Sequence, residues 1–336
     1  MKKTALSTWR GIAMLGLTLL SFNACKKDAQ IAPANAADTS QTGLADHPNF
    51  KAANLAVTFK TSAPISYYNK SNFTISGIST TSIKLVGCTN VLIINCKVGN
   101  SSGVGISISS CKNVKVTGCY LYNVSSGVYA VDSQTINVSG NFGLNMKGPL
   151  PRGQFVQFDN VTGGGNRINS NKFQNILGQS TPEDAISIYK SSGTSTDPIQ
   201  VKSNQIRGGG PSSTGGGIML GDKGGAYVIA EWNTLVDPGQ YGMAIAGGTH
   251  MTIYQNTVYS KKQSFSNVGL YYWNQSGLSS SAINISSNNV NFTKYTGEIN
   301  NTFLGSGGVT PNGWSTNYYN KSLGEATLPA TLVTIP

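Results

Sequence analysis

The sequence predicts an all-β solenoid, a single-stranded parallel β-helix, on three observations. A unit with the pattern Asn-apolar-x-apolar-x-polar-Asn/Cys recurs along the chain, first over 90–98 and again over 113–121. Each unit holds short runs in which apolar and polar residues alternate, as they do in β-strands, with Gly, Ser and Asn between the runs. Successive units lie 22 to 33 residues apart. A unit of that length cannot bury a core alone, so the units are expected to stack as coils.

Each unit is expected to end at one shared position of the coil. That position is occupied by Cys96, Cys119, Asn141, Asn171, Asn204, Asn233, Asn256 and Asn289. A leucine-rich solenoid is not expected because Leu is sparse, and propeller blades need longer units of roughly forty residues.

A second ladder of strands precedes the Asn units. Its segments are 105–110, 127–132, 155–160, 185–190, 217–222, 242–247 and 269–274. Equivalent positions should lie above one another, about 4.8 Å apart per coil. Under this alignment Asn160, Lys190 and Asp222 occupy consecutive coils, and we expect any functional site on this ladder.

The cysteines follow the coil period. Cys88 and Cys111 are 23 residues apart, and so are Cys96 and Cys119, which predicts two stacked pairs. Adjacent coils lie within disulfide range, but side chains in register point the same way, so free thiols packed as small apolar groups are the alternative to bridges. A zinc site is not expected, because CxxC spacing is missing and the chain has two histidines.

The N-terminus predicts export. Residues 1–25 begin with two lysines, continue with a short apolar stretch and end at Ala24-Cys25, which resembles a bacterial lipobox with a lipidated Cys25. The expected protein is an outer-membrane lipoprotein in the periplasm or on the cell surface, held to the membrane only through its lipid; plain secretion is the alternative. We expect a flexible tether over 26–50, the β-helix over 51–306 and a capping segment over 307–336.

The chain is basic, with 24 Lys and Arg against 13 Asp and Glu and a net charge of +11. For an exported protein this balance favours an acidic polysaccharide as partner, although the charge could serve solubility alone. Nucleic acid is not expected, because the basic residues are scattered and no known reader motif occurs. We expect a monomer.

The ionisable residues gather on neighbouring coils in the middle of the chain. They are Asp132, Asp159, Glu183, Asp184, Tyr189, Lys190, Arg207, Asp222, Lys223 and Glu231. With only His47 and His250 available, a Ser-His-Asp triad and a multi-histidine metal site are excluded. What remains is chemistry by carboxylates, Lys, Arg and Tyr, or a structural role in which Asp residues cap turns.

The repeat over roughly 70–300 resembles the pectate-lyase-like superfamily of right-handed parallel β-helices. Within it, 186–192 resembles the Lys-Ser strand of the alginate lyase and chondroitinase B family. That resemblance implies β-elimination on a uronate-containing polysaccharide, with Lys190 abstracting the C5 proton. The family's Arg on the next coil is absent near 221–223, so Lys223, Arg207 or Tyr189 would take its place.

A second resemblance covers the same strand. Glu183 and Asp184 with the following 185–188 resemble the paired-acid strand of polygalacturonase-type glycosidases, which implies that the two carboxyl groups act as acid and base. The next strand of that pattern is matched by 216–221, with Gly216 where the family carries a histidine. A third hypothesis is a non-catalytic glycan-binding or envelope protein.

We favour a lyase and expect its catalytic residues to be Lys190, Glu183, Asp184 and Asp222. No cofactor is expected, although Glu183, Asp184 and Asp222 offer oxygen ligands for calcium. Substrate binding is assigned to Asp159, Tyr189, Arg207, Lys223, Tyr271 and Trp273. Tyr271 and Trp273 should face outward if Leu270 and Tyr272 face the core, and could stack on sugars or pack beneath a loop.

Overall fold

The structure is a computed structural model that describes residues 58–275, 277–305 and 309–336. The predicted signal segment, Cys25 and the predicted tether lie outside this range. The described residues form 31 β-strands and two short 3-10 turns, Trp314–Thr316 and Glu325–Thr327. None of their helices has the length and apolar character needed to cross a membrane.

The strands form three parallel sheets, which together make up the β-helix of the described residues. Sheet A contains β1 (Lys60–Thr61), β4 (Ile78–Thr80), β7 (Lys97–Gly99), β10 (Tyr120–Val124), β13 (Phe142–Met146), β16 (Lys172–Gln174), β19 (Gln205–Arg207), β22 (Thr234–Val236), β25 (Thr257–Ser260), β29 (Asn289–Phe292) and β31 (Tyr318–Tyr319). Sheet B contains β2 (Ile65–Tyr68), β5 (Ile83–Val86), β8 (Ile106–Ser109), β11 (Val128–Val131), β14 (Val156–Asp159), β17 (Ile186–Tyr189), β20 (Ile218–Asp222), β23 (Tyr241–Ile245), β26 (Val268–Tyr272) and β30 (Thr302–Leu304). Sheet C contains β3 (Ser71–Ser76), β6 (Thr89–Ile94), β9 (Lys112–Thr117), β12 (Gln134–Ser139), β15 (Arg167–Asn169), β18 (Ile199–Lys202), β21 (Ala226–Glu231), β24 (Gly248–Tyr254), β27 (Ser280–Ser281) and β28 (Asn284–Ser286).

Apart from β27 and β28, which both pair with β24 in sheet C, consecutive strands along the chain belong to different sheets, and each pairs with the strand one coil away, which confirms the parallel β-helix. The alternation within each strand sorts its side chains between core and surface. In β14, Val156 and Phe158 are fully buried, whereas Gln157 and Asp159 face outward. Because the coils are in register, Val128 lies next to Val156 and continues the same buried column.

The predicted Asn/Cys position is a hydrogen-bonded ladder through the interior. In each coil from Asn141 to Asn256 the side-chain oxygen accepts the backbone N–H of the preceding member, as Asn204 does for Asn171 at 3.0 Å. The side-chain amide donates to a strand carbonyl and to the next asparagine. The prediction of Asn289 was wrong by one residue, because Asn288 occupies the ladder and Asn289 begins β29.

The four cysteines within the described residues are buried, stacked and free. The backbone N–H of Cys88 points to the sulfur of Cys111 at 3.3 Å, and that of Cys96 points to Cys119 at 3.5 Å. The stacking confirms the predicted register. The sequence left disulfide bridges and free thiols open, and the structure has free thiols. These sulfurs accept the same backbone hydrogen bond that Asn141 accepts from Cys119.

This burial predicts the chemical behaviour of the thiols. In a chain that starts after residue 50, a thiol-specific reagent is expected to titrate none of the four cysteines rapidly under native conditions and all four after denaturation, because a buried thiol is inaccessible to the reagent. Mass spectrometry of the alkylated, unreduced chain provides the check. Two blocked pairs in the denatured protein would contradict the free-thiol structure.

The C-terminal segment, predicted as a cap over 307–336, does two things within 309–336. Asn317 ends the Asn ladder, and Tyr318 pairs with Asn289 at the edge of sheet A. The chain then runs back along sheet A, where Gln174 accepts the backbone N–H of Leu332 at 2.8 Å. Leu328 and Val333 are 4% exposed, so the segment is anchored by apolar burial as well as by hydrogen bonds.

Candidate active site on sheet B

A cleft of about 680 Å³ lies on the outer face of sheet B. Its residues come from five strands of the sheet and from the loops around 150–154 and 213–214. The polar and aromatic lining residues are Tyr129, Arg152, Gln154, Gln157, Asp159, Glu183, Asp184, Ser187, Tyr189, Ser213, Thr214, Asp222, Gln240, Tyr271 and Gln275. The cleft therefore brings together six residues of the predicted set: Asp159, Glu183, Asp184, Tyr189, Asp222 and Tyr271.

The predicted alignment of Lys190 with Asp222 was wrong, because a β-bulge shifts the register. Ile188 pairs with Leu220, but Tyr189 pairs with Asp222, so Gly221 is the extra residue. Gly221 has φ +68°, and an added Cβ would lie 2.1 Å from the carbonyl oxygen of Gly247, so no other residue fits there. As a result Asp159, Tyr189 and Asp222 follow one another on consecutive coils.

Lys190 lies outside the cleft. It is exposed, has φ 50° in the turn after β17, and its ammonium group stands 5.1 Å from the centre of the Tyr189 ring. Lys223, which follows Asp222, is likewise an exposed left-handed turn residue that does not line the cleft. Neither the position predicted for the base nor that predicted for its assisting cation lines the cleft.

Arg207 is also absent from the cleft. It belongs to sheet A, where its guanidinium donates to the carbonyl oxygens of Glu325 and Leu328 at 2.9 and 3.2 Å. Arg207 therefore fixes the C-terminal segment. Sequence spacing placed it near the other ionisable residues along the chain but could not show that it belongs to a different sheet.

Asp184 has the most unusual environment of the carboxyl groups in the cleft. It precedes β17, and its carboxylate accepts hydrogen bonds from the Tyr241 hydroxyl and from the backbone N–H of Gly216 at 3.1 Å. Burial raises the pKa of Asp184 to about 7; the two hydrogen bonds act in the opposite direction, and the charges of Glu183 and Asp222 raise it further. Asp184 can therefore hold a proton near neutral pH.

Tyr241 fills the space where the polygalacturonase-type pattern carries a histidine. An added Cβ on Gly216 would lie 2.6 Å from the Tyr241 carbonyl oxygen and 2.7 Å from its ring, so a side chain at position 216 is excluded. Tyr241 is 1% exposed and meets Tyr271 edge-on at 5.1 Å. Sequence analysis missed Tyr241, since nothing in the strand pattern shows that its hydroxyl reaches a carboxylate two coils away.

Glu183 is held by two hydroxyl groups of the 209–216 loop. Ser212 and Thr214 donate to its two carboxylate oxygens at 2.7 and 2.9 Å. Gly215 packs against the Glu183 backbone, where a Cβ would come within 2.5 Å of its Cα. Glu183 is thus a fixed carboxylate at the cleft wall beside Asp184.

The other end of the cleft joins a tyrosine, an arginine and a carboxylate. The Tyr129 hydroxyl donates to Asp159 at 2.8 Å, and the Arg152 guanidinium stacks 3.9 Å from the Tyr129 ring centre while donating to Gln157. Burial, followed by the bond to Asp159, raises the pKa of Tyr129. Tyr129 and Gln157 were identifiable from the sequence, because they share one outward column of the aligned segments.

The prediction for the aromatic strand β26 is confirmed. Leu270 and Tyr272 are buried, while Tyr271 and Trp273 face outward. Tyr271 lines the cleft, and burial raises its pKa. Trp273 is 43% exposed and does not line the cleft.

The charges in the cleft are mostly negative. Four carboxyl groups line it with one guanidinium, that of Arg152, and no lysine. Burial also raises the pKa of Asp222. Across the described ranges no group of three or more His, Cys, Asp or Glu side chains has the arrangement of a metal site. Calcium at Glu183, Asp184 and Asp222 stays a prediction.

Comparison with known proteins supports the fold. Residues 63–216 match the family model described as a right handed beta helix region. No curated protein matches the chain. Among solved structures, HetL, a pentapeptide repeat protein from the cyanobacterium Nostoc, is 9% identical, with 71% of this chain and 91% of HetL covered at a TM-score of 0.17.

Proposed function

The chain is a right-handed parallel β-helix that fits the pectate-lyase-like superfamily, and we propose that its sheet B cleft hydrolyses glycosidic bonds of a polysaccharide. The fold alone is consistent with a carbohydrate-active or a structural β-helix protein. The observation that carries the finer proposal is Asp184, a carboxyl group with a pKa of about 7 in a cleft lined by three further carboxyl groups and by tyrosines.

Asp184 is the proposed general acid. Cleavage of a glycosidic bond needs a proton on the leaving oxygen, and a carboxylic acid supplies it best when its pKa lies near the working pH. The burial of Asp184 meets this condition. Tyr241 acts as a positioning residue, since its hydroxyl fixes the carboxyl group without lining the cleft.

Asp222 is the proposed general base. Asp222 is the last residue of β20, in the next coil, whereas Asp184 precedes the first residue of β17. The two residues therefore lie at opposite ends of these neighbouring strands, and Ser187 and Met219 line the cleft between them. In the proposed mechanism, a water molecule activated by Asp222 attacks the sugar from the face opposite the leaving group. We therefore propose hydrolysis with inversion of the anomeric configuration.

The cleft favours a substrate without carboxylates at the bond that is cut. Three carboxyl groups surround the proposed point of cleavage, and a uronate there would add a like charge. Tyr189 and Tyr271 offer aromatic surfaces to sugar rings, while Arg152 stands further along the cleft beside Tyr129. The proposed substrate is therefore a neutral polysaccharide, whereas the net charge suggested an acidic one.

Elimination through Lys190 has less support from the same geometry. A base must come within about 3 Å of the proton it removes, and Lys190 is exposed on the turn beside the cleft.

We expect removal of the Tyr241 hydroxyl to shift the pH profile of kcat/KM. The hydrogen bond from Tyr241 lowers the pKa of Asp184, so Tyr241→Phe raises that pKa further. The alkaline limb of the kcat/KM profile, on which activity falls with rising pH, is expected to move to higher pH by roughly one unit. A profile of reduced height but unchanged position would show that Tyr241 has only a structural role.

The proposal is tested by incubating the protein with xylan, glucomannan, mixed-linkage glucan, pectate and alginate. New reducing ends from a neutral polysaccharide, without the ultraviolet absorbance of an unsaturated uronate, are expected. Absorbance growing in step with reducing ends on pectate or alginate would instead establish elimination. Binding with no product from any polysaccharide would favour a non-catalytic protein.

A further inference from the structure

Two left-handed positions flank the strands of sheet C, and at β21 and β24 they carry aromatic or imidazole side chains in place of the small or polar ones of other coils. The residue before each ladder position from Cys96 to Asn288 is left-handed, with φ between 51° and 70°. These residues are Asn95, Gly118, Gly140, Ser170, Ser203, Trp232, Gln255 and Ser287. Small and polar residues tolerate this conformation best, and a bulky aromatic residue there is an outlier.

The turn that leads into sheet C shows the same change. Its left-handed residues are Asn72, Asn90, Asn113 and Thr135 in the early coils and Tyr227, His250 and Ala282 in the late ones. Among the described residues, Tyr227, Trp232 and His250 are the ring-bearing side chains with positive φ, and all three lie on β21 and β24 or next to them. Strained positions that cluster in this way indicate a function on the surface.

Trp232 is fixed as an exposed platform. It is 52% exposed, and its indole N–H donates to Gln255 of the next coil at 2.8 Å. On the other side, the Lys202 ammonium lies 5.5 Å from the ring centre and forms an ion pair with Glu231. The ring is thus held between two neighbouring coils and does not pack into the core.

Tyr227 and His250 form a second aromatic surface. Their rings stack at 4.5 Å with an interplanar angle of 23°, and His250 is exposed. Tyr227 and Trp232 lie five residues apart along β21, which is about 16 Å in an extended strand. The outer face of sheet C therefore presents two aromatic surfaces at a separation that several sugar rings would span.

We infer that this aromatic surface, made of Tyr227, His250 and Trp232, binds a neutral polysaccharide chain. Sugar rings stack on exposed aromatic side chains because their C–H faces are apolar. The charges of sheet C beside Trp232 are paired, Lys202 with Glu231 and Arg167 with Asp197, which favours a neutral chain over a polyanion there. The site lies on sheet C, distinct from the cleft on sheet B, and would hold a polysaccharide independently of its hydrolysis.

The solenoid itself supplies variants that should fold. Trp232→Ser introduces the residue found at the same turn in Ser170, Ser203 and Ser287, and Tyr227→Asn and His250→Asn introduce the residue of Asn90 and Asn113. Each change relaxes a left-handed aromatic or imidazole residue. The melting temperature is therefore expected to stay level or rise.

Binding is measured by affinity electrophoresis in gels that contain xylan, glucomannan or mixed-linkage glucan. All variants carry Asp184→Asn so that no polysaccharide is cut, and Tyr271→Ala serves as the control for binding in the cleft. Trp232→Ser is expected to weaken binding by roughly tenfold, and the triple variant to weaken it more. The loss should be the same with and without Tyr271→Ala.

Two results would overturn the inference: unchanged retardation of the triple variant, or no retardation of the parent in any of these neutral gels. A failed hydrolysis assay does not affect this outcome, since the binding experiment uses a chain without turnover. Conversely, loss of binding only with Tyr271→Ala would place all glycan recognition in the cleft.

Discussion

Replacing Asp184 with asparagine is expected to lower turnover by roughly 10² to 10⁴-fold, the range typical of a lost general acid. Asparagine keeps the size of the side chain and an oxygen that can accept the hydrogen bonds from Tyr241 and Gly216. It removes only the transferable proton. Steady-state kinetics on the polysaccharide that the parent cleaves, together with a thermal melt, separates a chemical defect from a folding defect.

The same substitution is expected to stabilise the protein at alkaline pH. Burial raises the pKa of Asp184 from an ordinary 3.8 to about 7, so between these values the folded state keeps a proton that the unfolded chain has released. The stability contributed by this group is fully present below pH 4 and is lost as the pH rises through 7. Above pH 7, Asp184→Asn should therefore be more stable by up to about 2 kcal/mol, because the residue lines an open cleft and nearby water lowers the cost of its charge.

Lys190→Met is the matched control. Lys190 is exposed beside the cleft, so its loss should leave turnover and stability nearly unchanged. Turnover abolished by Lys190→Met and retained in Asp184→Asn would reverse the proposed roles and return the site to elimination.

Replacing Asn204 with leucine is expected to destabilise the β-helix by about 3 to 5 kcal/mol. Asn204 is 1% exposed, accepts two hydrogen bonds from Asn171 and donates to Ile168 and to Asn233. Leucine fills the volume but leaves these buried groups without partners, and the cost of an unpaired buried donor or acceptor exceeds the gain in apolar burial. Chemical denaturation measures the free energy of unfolding.

Asn141→Cys provides the control within the same ladder. The position is filled by cysteine in the two preceding coils, and the Cys119 sulfur accepts a backbone N–H from Cys96 much as the Asn141 oxygen accepts that of Cys119. The expected cost is only about 1 kcal/mol. An equal loss for Asn204→Leu and Asn141→Cys would contradict the view that hydrogen bonding, not side-chain volume, selects asparagine here.

The coil register was predictable because equivalent residues recur at regular intervals along the sequence. Equal intervals between Cys88 and Cys111 and between Cys96 and Cys119, with outward and inward residues alternating around them, identify which strands stack. The error at Asn289 arose because Asn288 and Asn289 are both asparagines. Only the hydrogen bonds to Asn256 distinguish them.

The site was predictable only in part. Glu183, Asp184 and Asp222 were found because they end or begin strands of one aligned ladder. Lys190 was misplaced because the bulge at Gly221 changes the register by one residue, and such a bulge has no sequence signature beyond glycine itself. Arg207 was misplaced because proximity in sequence does not specify which of three sheets a strand joins.

The hydrogen-bond partners of Asp184 could not be predicted from the spacing of residues in the sequence. Tyr241 belongs to a strand two coils later than β17, and the contact depends on the absence of a side chain at Gly216. Sequence patterns identify which residues share a face, but not which hydroxyl reaches which carboxylate across that face.

The central claim is hydrolysis in the sheet B cleft through Asp184, and product analysis in oxygen-18 water tests it most directly. Hydrolysis inserts one water oxygen at each new reducing end, so mass spectrometry should show one heavy oxygen per cleavage with the parent protein and at least roughly 10²-fold less product with Asp184→Asn. Unlabelled product incubated alone corrects for exchange. Products that lack the label and are lighter by one water, formed equally by Asp184→Asn, would contradict the account.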